Sequence, residues 1–257
     1  MNGLFTRLFS QAARALPSAC WICHAWSAHS VCQACSQRFA QPRLRCSTCA
    51  LPLVAESNAM RCGACLTLGS ALDSCCAAVD YGYPWQQLIL RFKYSDAGDL
   101  SAQPALAKSL AQVIVHVAAQ DSSLALALRT AQRCDHLLPM PLHPTRQSER
   151  GFNQAASLAH ALFPNANNLR TDLLVRTKNT ATQADLPRDL RMANLYRAFL
   201  ATPSLAHELK GASVMLIDDV TTTTATLSAA AAALRQAGAK EVHAIVFART
   251  LGSRTSS

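Results

Sequence analysis

Apolar positions along this chain follow two periods. Helical spacing places Leu4, Phe5, Leu8, Phe9, Ala12 and Leu16 together over Met1 to Leu16. It recurs in Leu88, Ile89 and Phe92 after Pro84, and in Leu106, Leu110, Val113, Ile114 and Val117 after Pro104. Three-and-four spacing gathers such residues on one face, so each stretch predicts an amphipathic helix. Short apolar runs without that period predict buried strands: Cys75 to Tyr83, His136 to Leu138, Leu173 to Val175, Ser213 to Ile217 and Val242 to Phe247, with Tyr196 to Leu200 as a further candidate. Asn153 or Gln154 opens a helix running to Leu162, and an Ala-rich helix follows Thr224 and stops at Gly238. Strands alternating with helices in this order predict an α/β fold around a mostly parallel sheet.

The strand beginning at Ser213 carries the most chemistry. Asp218 and Asp219 stand at its C-terminal end, and Thr221, Thr222, Thr223, Thr224, Ala225 and Thr226 lead into the Ala-rich helix. Open α/β sheets bind ligands at that end of their strands. Unpaired N–H groups and the dipole at the helix start favour an anion, with threonine hydroxyls as further donors. Two adjacent carboxylates would repel a bare phosphate, so the pattern suits a phosphorylated sugar. Its phosphate would go to the loop, and its vicinal hydroxyls or a bound Mg²⁺ to the acids. A capped helix start beside two solvated acids would use the same residue types.

Other segments could serve the same ligand. Pro139 to Pro144 puts three prolines into six residues at a strand end, predicting an irregular loop that includes Pro141, Leu142 and His143. Arg146 and Arg150 follow as forked donors for a diphosphate. Lys93, after the Phe92 helix and before the turn Ser95 to Gly98, is a further anion candidate. Arg176, Lys178, Arg188, Arg191 and Arg197 populate a long stretch without clear period; it reads equally as a solvated basic loop or as a polyanion contact.

Cysteine usage adds a second module. Eight of the eleven cysteines fall as Cys20-x-x-Cys23, Cys32-x-x-Cys35, Cys46-x-x-Cys49 and Cys62-x-x-Cys65. Two such knuckles complete one tetrahedral Zn²⁺ shell, so four make two closed, structural sites. Sequential pairing keeps the loops short, while spacing alone also permits interleaving. His24 and His29 are surplus to these shells, and Cys75 and Cys76 read as small buried residues. No apolar run is long enough to span a bilayer. Metal-bound thiolates fit a reducing cytoplasm better than a secreted disulfide scaffold. Gly69-Ser70 is the predicted joint, dividing the chain into 1–69, the first helix and the zinc module, and 70–257, the α/β domain. The formal charge is +9, and two four-thiolate zinc sites at −2 each lower it to +5, still basic enough to suggest polyanionic partners.

The acidic strand and threonine loop resemble the PRPP-binding signature of type I phosphoribosyltransferases, with Thr224 where that signature has glycine. A β-branched residue is a poor substitute where the backbone needs positive φ or close approach to a phosphate. With the four cysteine knuckles, Phe92-Lys93-Tyr94, Pro139-x-Pro141-Leu142, Arg150-Gly151-Phe152-Asn153-Gln154, and Thr180-x-x-Gln183 with Arg188, Arg191 and Asn194, the chain resembles the ComF/GntX family from about Cys20 to Arg249. That resemblance implies a double zinc ribbon fused to a type I phosphoribosyltransferase-like domain, in the cytoplasm or at the inner face of the membrane. It also implies a part in DNA uptake during natural transformation, with single-stranded DNA and the competence helicase or uptake machinery as partners.

Three readings stay open at this point. The protein handles incoming single-stranded DNA and binds PRPP or a 5′-phosphate, or it transfers phosphoribosyl from PRPP to an acceptor, or it binds PRPP as a regulator. Under the transferase reading Asp218 and Asp219 hold the ribose hydroxyls, Thr222 to Thr226 the 5-phosphate, and the 139–144 loop with the arginines Mg²⁺–pyrophosphate. Few aromatics accompany the basic stretch, which favours backbone electrostatics over base stacking.

Overall fold

The structure is a computed structural model describing residues 18–54, 60–94, 103–178 and 198–251. The helix expected over Met1–Leu16, the turn Ser95–Gly98, the stretch from Thr180 to Arg197 with Arg188 and Arg191, and the start of the Tyr196 strand lie outside those residues.

In chain order the elements are β1 (Ser18–Ala19), β2 (Trp26–Ser27), α1 (Gln33–Phe39), α2 (Gly63–Thr67), β3 (Ser74–Asp80), α3 (Trp85–Lys93), α4 (Gln103–Ala118), α5 (Ser122–Arg133) and β4 (His136–Pro139). They continue with α6 (Pro144–Arg150), α7 (Gln154–Leu162), β5 (Leu174–Arg176), β6 (Phe199–Ala201), a 3₁₀ turn (Pro203–Leu209), β7 (Ser213–Thr221), α8 (Ala225–Gln236) and β8 (Glu241–Arg249).

Val214, Met215, Leu216 and Ile217 are wholly buried, as a strand covered on both faces requires. Their side chains alternate between two cores. Met215 and Ile217, with Ile245 and Phe247 of β8, join Trp85, Phe92, Leu110, Ile114 and Leu158 on the face covered by α3, α4, α5 and α7. Val214 and Leu216, with Val242 and Val246, join Leu227, Leu234, Leu174 and Phe199 on the face covered by α8 and the β5–β6 pair. The sheet order is β3-β8-β7-β4, parallel at every step. The run Leu173–Val175 falls outside this sheet: β5 and β6 form a separate antiparallel pair.

Two helices go beyond the elements expected from the sequence pattern. α5 buries Leu124, Ala127 and Ala131, and is started by Asp121, whose carboxylate accepts from Ser123 N–H at 2.9 Å and Leu124 N–H at 3.1 Å. α6 corrects the expectation of an irregular loop through Pro144: a proline in the first turn gives up an N–H that a helix leaves unpaired anyway.

The cysteines resolve into two tetrads paired sequentially, Cys20, Cys23, Cys32, Cys35 and Cys46, Cys49, Cys62, Cys65, with the sulfurs of each within 4.8 Å of one another. Both lean on the α/β core. Cys20, Val31, Cys35 and Ala40 pack with the helical face, and Ala50 packs with the other. The peptide carbonyl of Phe39 accepts from the indole N–H of buried Trp85 at 3.0 Å. Along the outer edge of β3, Cys75 N–H donates to the Ser47 carbonyl at 2.8 Å and Arg45 pairs with Asp80 at 2.7 Å. An otherwise open sheet edge is thereby covered. His24 and His29 are exposed, and burial pushes the Cys75 thiol up, away from thiolate chemistry. Among the described residues no helix is long and apolar enough to cross a membrane.

Candidate functional site

β7 delivers its two carboxylates to different surroundings. Asp219 is 5 % exposed and Asp218 is partly open. The N–H of Asp219 donates to Asp218 Oδ1 at 2.9 Å, which fixes the first carboxylate over the second residue's peptide. Beyond them the backbone turns sharply. Thr221 and Thr224 are buried while Thr222 and Thr223 are exposed, and Thr224 takes a left-handed conformation, φ 57° and ψ 1°. The threonines bond to their own loop. Thr221 Oγ1 accepts from Thr224 N–H at 3.2 Å, Thr223 Oγ1 from Ala225 N–H at 3.4 Å, and the Thr224 hydroxyl donates to the Thr223 carbonyl at 2.6 Å. Ser228 N–H donates to the Thr224 carbonyl at 2.8 Å, starting α8, on whose first turn Thr226 lies half-buried.

Lys93, the last residue of α3, reaches Asp219: Nζ to Oδ2 is 3.0 Å. Sequence alone left this lysine as an anion candidate on an exposed helix end, and the structure pairs it with an acid instead. Burial would lower its pKa, but the Asp219 charge and hydrogen bond, helped by Asp218, outweigh burial and raise it. Burial and the Asp219 charge push Asp218 up to about 8, against the pull of Lys93 and the Asp219 N–H.

The opposite wall comes from β4. Pro139 lies beside Ile217 in the sheet, and Met140 N–H donates to the Ile217 carbonyl at 2.8 Å, so the 140–143 loop leaves next to Asp218. Pro141 and Leu142 are half-buried there. His143 turns its ring back to cap α6, Nδ1 accepting from Thr145 N–H at 3.3 Å. After Arg150, Gly151 supplies the left-handed residue that ends α6, φ 74°. Asn153 then does two things. Its Oδ1 accepts from Ala156 N–H at 3.2 Å, capping α7, and its amide donates to the Met140 carbonyl at 3.1 Å, pinning the loop. Phe152 packs on Phe92, ring centroids 5.8 Å apart. Arg-Gly-Phe-Asn-Gln is thus a hinge between two helices as well as a source of charge.

Three guanidiniums share this side. Arg150 donates to Gln154 Oε1 at 3.1 Å and lies over the Tyr94 ring at 5.2 Å. Arg176 stacks on Phe199 at 5.5 Å. Burial lowers the Arg176 pKa, Arg146 and Arg150 lower it further and Asp218 opposes them, which puts all four groups within electrostatic range. Lys178 is exposed two residues on. The structure therefore gathers Lys93, Arg146, Arg150 and Arg176 around the paired acids.

The phosphoribosyl transferase domain family matches residues 148–256, which run from within α6 through the threonine loop, α8 and β8. The DNA utilization protein YhgH of Escherichia coli K12 is 30% identical over 242 residues, 92% of this chain and 99% of its own. Its counterpart in Salmonella typhimurium LT2 is also 30% identical, over the same shares. Competence protein F of Haemophilus influenzae Rd is 30% identical over 209 residues, 79% of this chain and 84% of its own. The chain belongs to the ComF/GntX family. A solved allosteric regulatory enzyme of purine biosynthesis aligns at 17% identity and TM-score 0.33, covering 61% of this chain and 29% of that one, too distant in shape to add anything.

In this ComF family member each cysteine tetrad has the donor set of a closed structural zinc site, four sulfurs and no open position. Both could hold zinc. Two residues that matter near the site escaped the sequence. Tyr94 carries Arg150, and only its place after Lys93 hinted at it. Arg249 is 5 % exposed at the end of β8, where a cation closing an otherwise apolar run was the one available signal.

Proposed function

We propose that the protein binds PRPP, or a ribose 5-phosphate end of like chemistry, and works in the handling of single-stranded DNA during DNA uptake. One observation carries this: Asp218 and Asp219 sit at the sheet's C-terminal edge between a threonine turn at a helix start and the Arg146, Arg150 and Arg176 wall. A phosphorylated pentose with a diphosphate divides its charges in that way. Asp218 and Asp219 would accept hydrogen bonds from the ribose hydroxyls. The turn would take the 5-phosphate once its threonine hydroxyls rotate from the loop's own N–H groups to the ligand. The arginines would take the diphosphate. Magnesium, arriving with the diphosphate, would neutralise part of its charge. Lys93, 3.0 Å from Asp219 Oδ2, would keep that carboxylate in place while the sugar is bound. The names of the relatives, DNA utilization protein and competence protein F, support the DNA-uptake setting.

The test is complementation in a deletion strain. Wild type restores transformation and Asp218→Asn/Asp219→Asn does not, although the variant protein binds zinc and is present at wild-type level. Transformation unaffected by the deletion would reject the DNA-uptake role. With purified protein, single-stranded DNA affinity should fall as salt rises, because cationic side chains release condensed counterions; a flat salt response rejects backbone electrostatics.

The three-guanidinium wall favours a second reading, transfer chemistry, since that is where a departing pyrophosphate would need stabilisation. Pyrophosphate released from PRPP by wild type and not by Asp218→Asn supports it; equal release by both rejects it.

A further inference from the structure

Arg249 is buried, and among the described residues its guanidinium donates to the Cys49 knuckle, to the threonine turn and to its own neighbour Thr250. Nε donates to the Cys49 carbonyl at 2.9 Å. Nη1 donates to the Thr222 carbonyl and to the Thr250 carbonyl, the latter at 2.6 Å. Thr250 strengthens the second attachment: its hydroxyl donates to the Thr222 carbonyl at 3.1 Å and its N–H to the Thr221 carbonyl at 3.0 Å. One side chain therefore spans from a knuckle of the second tetrad to the turn that holds Thr222, Thr223 and Thr224.

The knuckle end is set by the metal shell. Cys49 is one of the second tetrad's four sulfur donors, and the turn that presents its carbonyl is closed by Ala50 N–H donating to the Cys46 carbonyl at 2.8 Å, with Ala50 left-handed at φ 56°. A non-glycine residue holds that conformation only when its surroundings over-determine it, and two sulfurs on one ion do so. Charge points the same way. Among the described residues no carboxylate pairs with Arg249. A Zn²⁺ with four thiolates would carry −2, and the Arg249 guanidinium reaches the carbonyl of Cys49, one of that tetrad's four donors. Among the described residues the first tetrad has no such route: Cys20, Cys32 and Cys35 pack against the helical face of the sheet.

We propose that Arg249 is a positioning residue through which the second zinc site holds the threonine turn in shape. Zinc fixes the knuckle, the knuckle fixes the guanidinium, and the guanidinium with Thr250 fixes the Thr222 carbonyl. The coupling stands on these contacts alone; its consequence, that PRPP affinity depends on the second zinc, rests on the reading of the turn as the phosphate cradle.

Amide hydrogen exchange on the full chain tests it, with wild type, Cys62→Ser, Cys23→Ser and Arg249→Lys, each assayed for zinc. Each cysteine variant should lose one of the two metals that the tetrads provide for. Amides of Thr222 to Ser228 should exchange about tenfold faster in Cys62→Ser, at wild-type rate in Cys23→Ser, and about tenfold faster in Arg249→Lys with both metals retained. That last result separates the guanidinium from a general loss of structure. Unchanged exchange in Arg249→Lys, or equal acceleration by both cysteine variants, overturns the proposal. If Cys62→Ser does not fold, Arg249→Lys decides alone. Titration of the same proteins with PRPP distinguishes the two failures: no binding by wild type rejects the cradle while the exchange comparison still judges the coupling.

Discussion

Two strand–loop–helix units face each other across the candidate site, and they solve the same backbone problem differently. Each needs a left-handed residue near its loop. The unit after β4 uses Gly151, φ 74°, and caps both helices with side chains, His143 for α6 and Asn153 for α7. The unit after β7 uses Thr224, φ 57°, and no side chain of Thr224 caps α8. Left-handed backbone costs an ordinary residue roughly 1–2 kcal/mol, and glycine very little. The β7 unit also sets two carboxylates side by side. Strain and charge repulsion are concentrated in the acidic unit while the basic one is relaxed, and such local conflicts mark functional loops rather than scaffolding.

The largest break in this contrast should come from Asp219. Removing it strands Lys93, whose side chain is 22% exposed, beside an empty position. Asp219→Ala should lower stability by roughly 2–3 kcal/mol in urea unfolding, because a mostly buried charge is left without its partner. Adding Lys93→Met should recover most of that loss. A loss below about 0.5 kcal/mol would mean that water already compensates the lysine, as at an ordinary surface pair.

Next comes the pH response of Asp218. Its unfolded carboxyl titrates near 4, roughly, and in the folded chain it is pushed up to about 8. Between those values the folded state binds a proton that the unfolded state does not, so this group's contribution to stability is fullest below the window and falls as pH rises through it. Asp218→Asn removes the titration. Its melting temperature should gain on wild type from pH 5 to pH 8, and parallel curves would show that Asp218 does not carry the slope.

A smaller effect sharpens the basic side. Gly151→Ala should destabilise by about 1 kcal/mol, the order expected when a β-carbon enters left-handed backbone. It should also loosen Asn153 from the Met140 carbonyl, visible as faster exchange at Ala156.

The two units also differ in how far the chain announced them. Four apolar residues, two acids and a threonine run made β7, its loop and α8 legible, because a doubly buried strand has a plain sequence signature. The three prolines after β4 suggested loop, yet Pro144 occupies a first-turn position that helices tolerate. α5 was missed because Leu124, Leu126 and Leu128 alternate at period two, which reads as strand as readily as helix, although Leu126 is exposed and Ala127 and Ala131 complete the buried face. The knuckles gave their ligands away but not their pairing, which needs distances. Lys93 was legible as a candidate cation but its acidic partner was not, and Arg249 gave no sign of its role, since a cation's partner lies on a strand or turn far along the chain.

The smallest expected change in stability is at Thr224, and it bears most directly on the contrast between the units. Thr224→Gly relieves the left-handed strain, but it deletes the hydroxyl bond to the Thr223 carbonyl and frees the unfolded chain. These oppose one another, so stability should move by less than about 0.5 kcal/mol. Binding should move more. A glycine turn can bring its N–H groups closer to an anion, and the buried threonine side chain no longer props the loop in its self-bonded form. PRPP affinity measured by calorimetry should therefore rise several-fold in Thr224→Gly, with Gly151→Ala showing no such gain. Unchanged affinity would mean that the threonine turn already presents its donors as a glycine turn would, and that the strain after β7 has no bearing on the ligand.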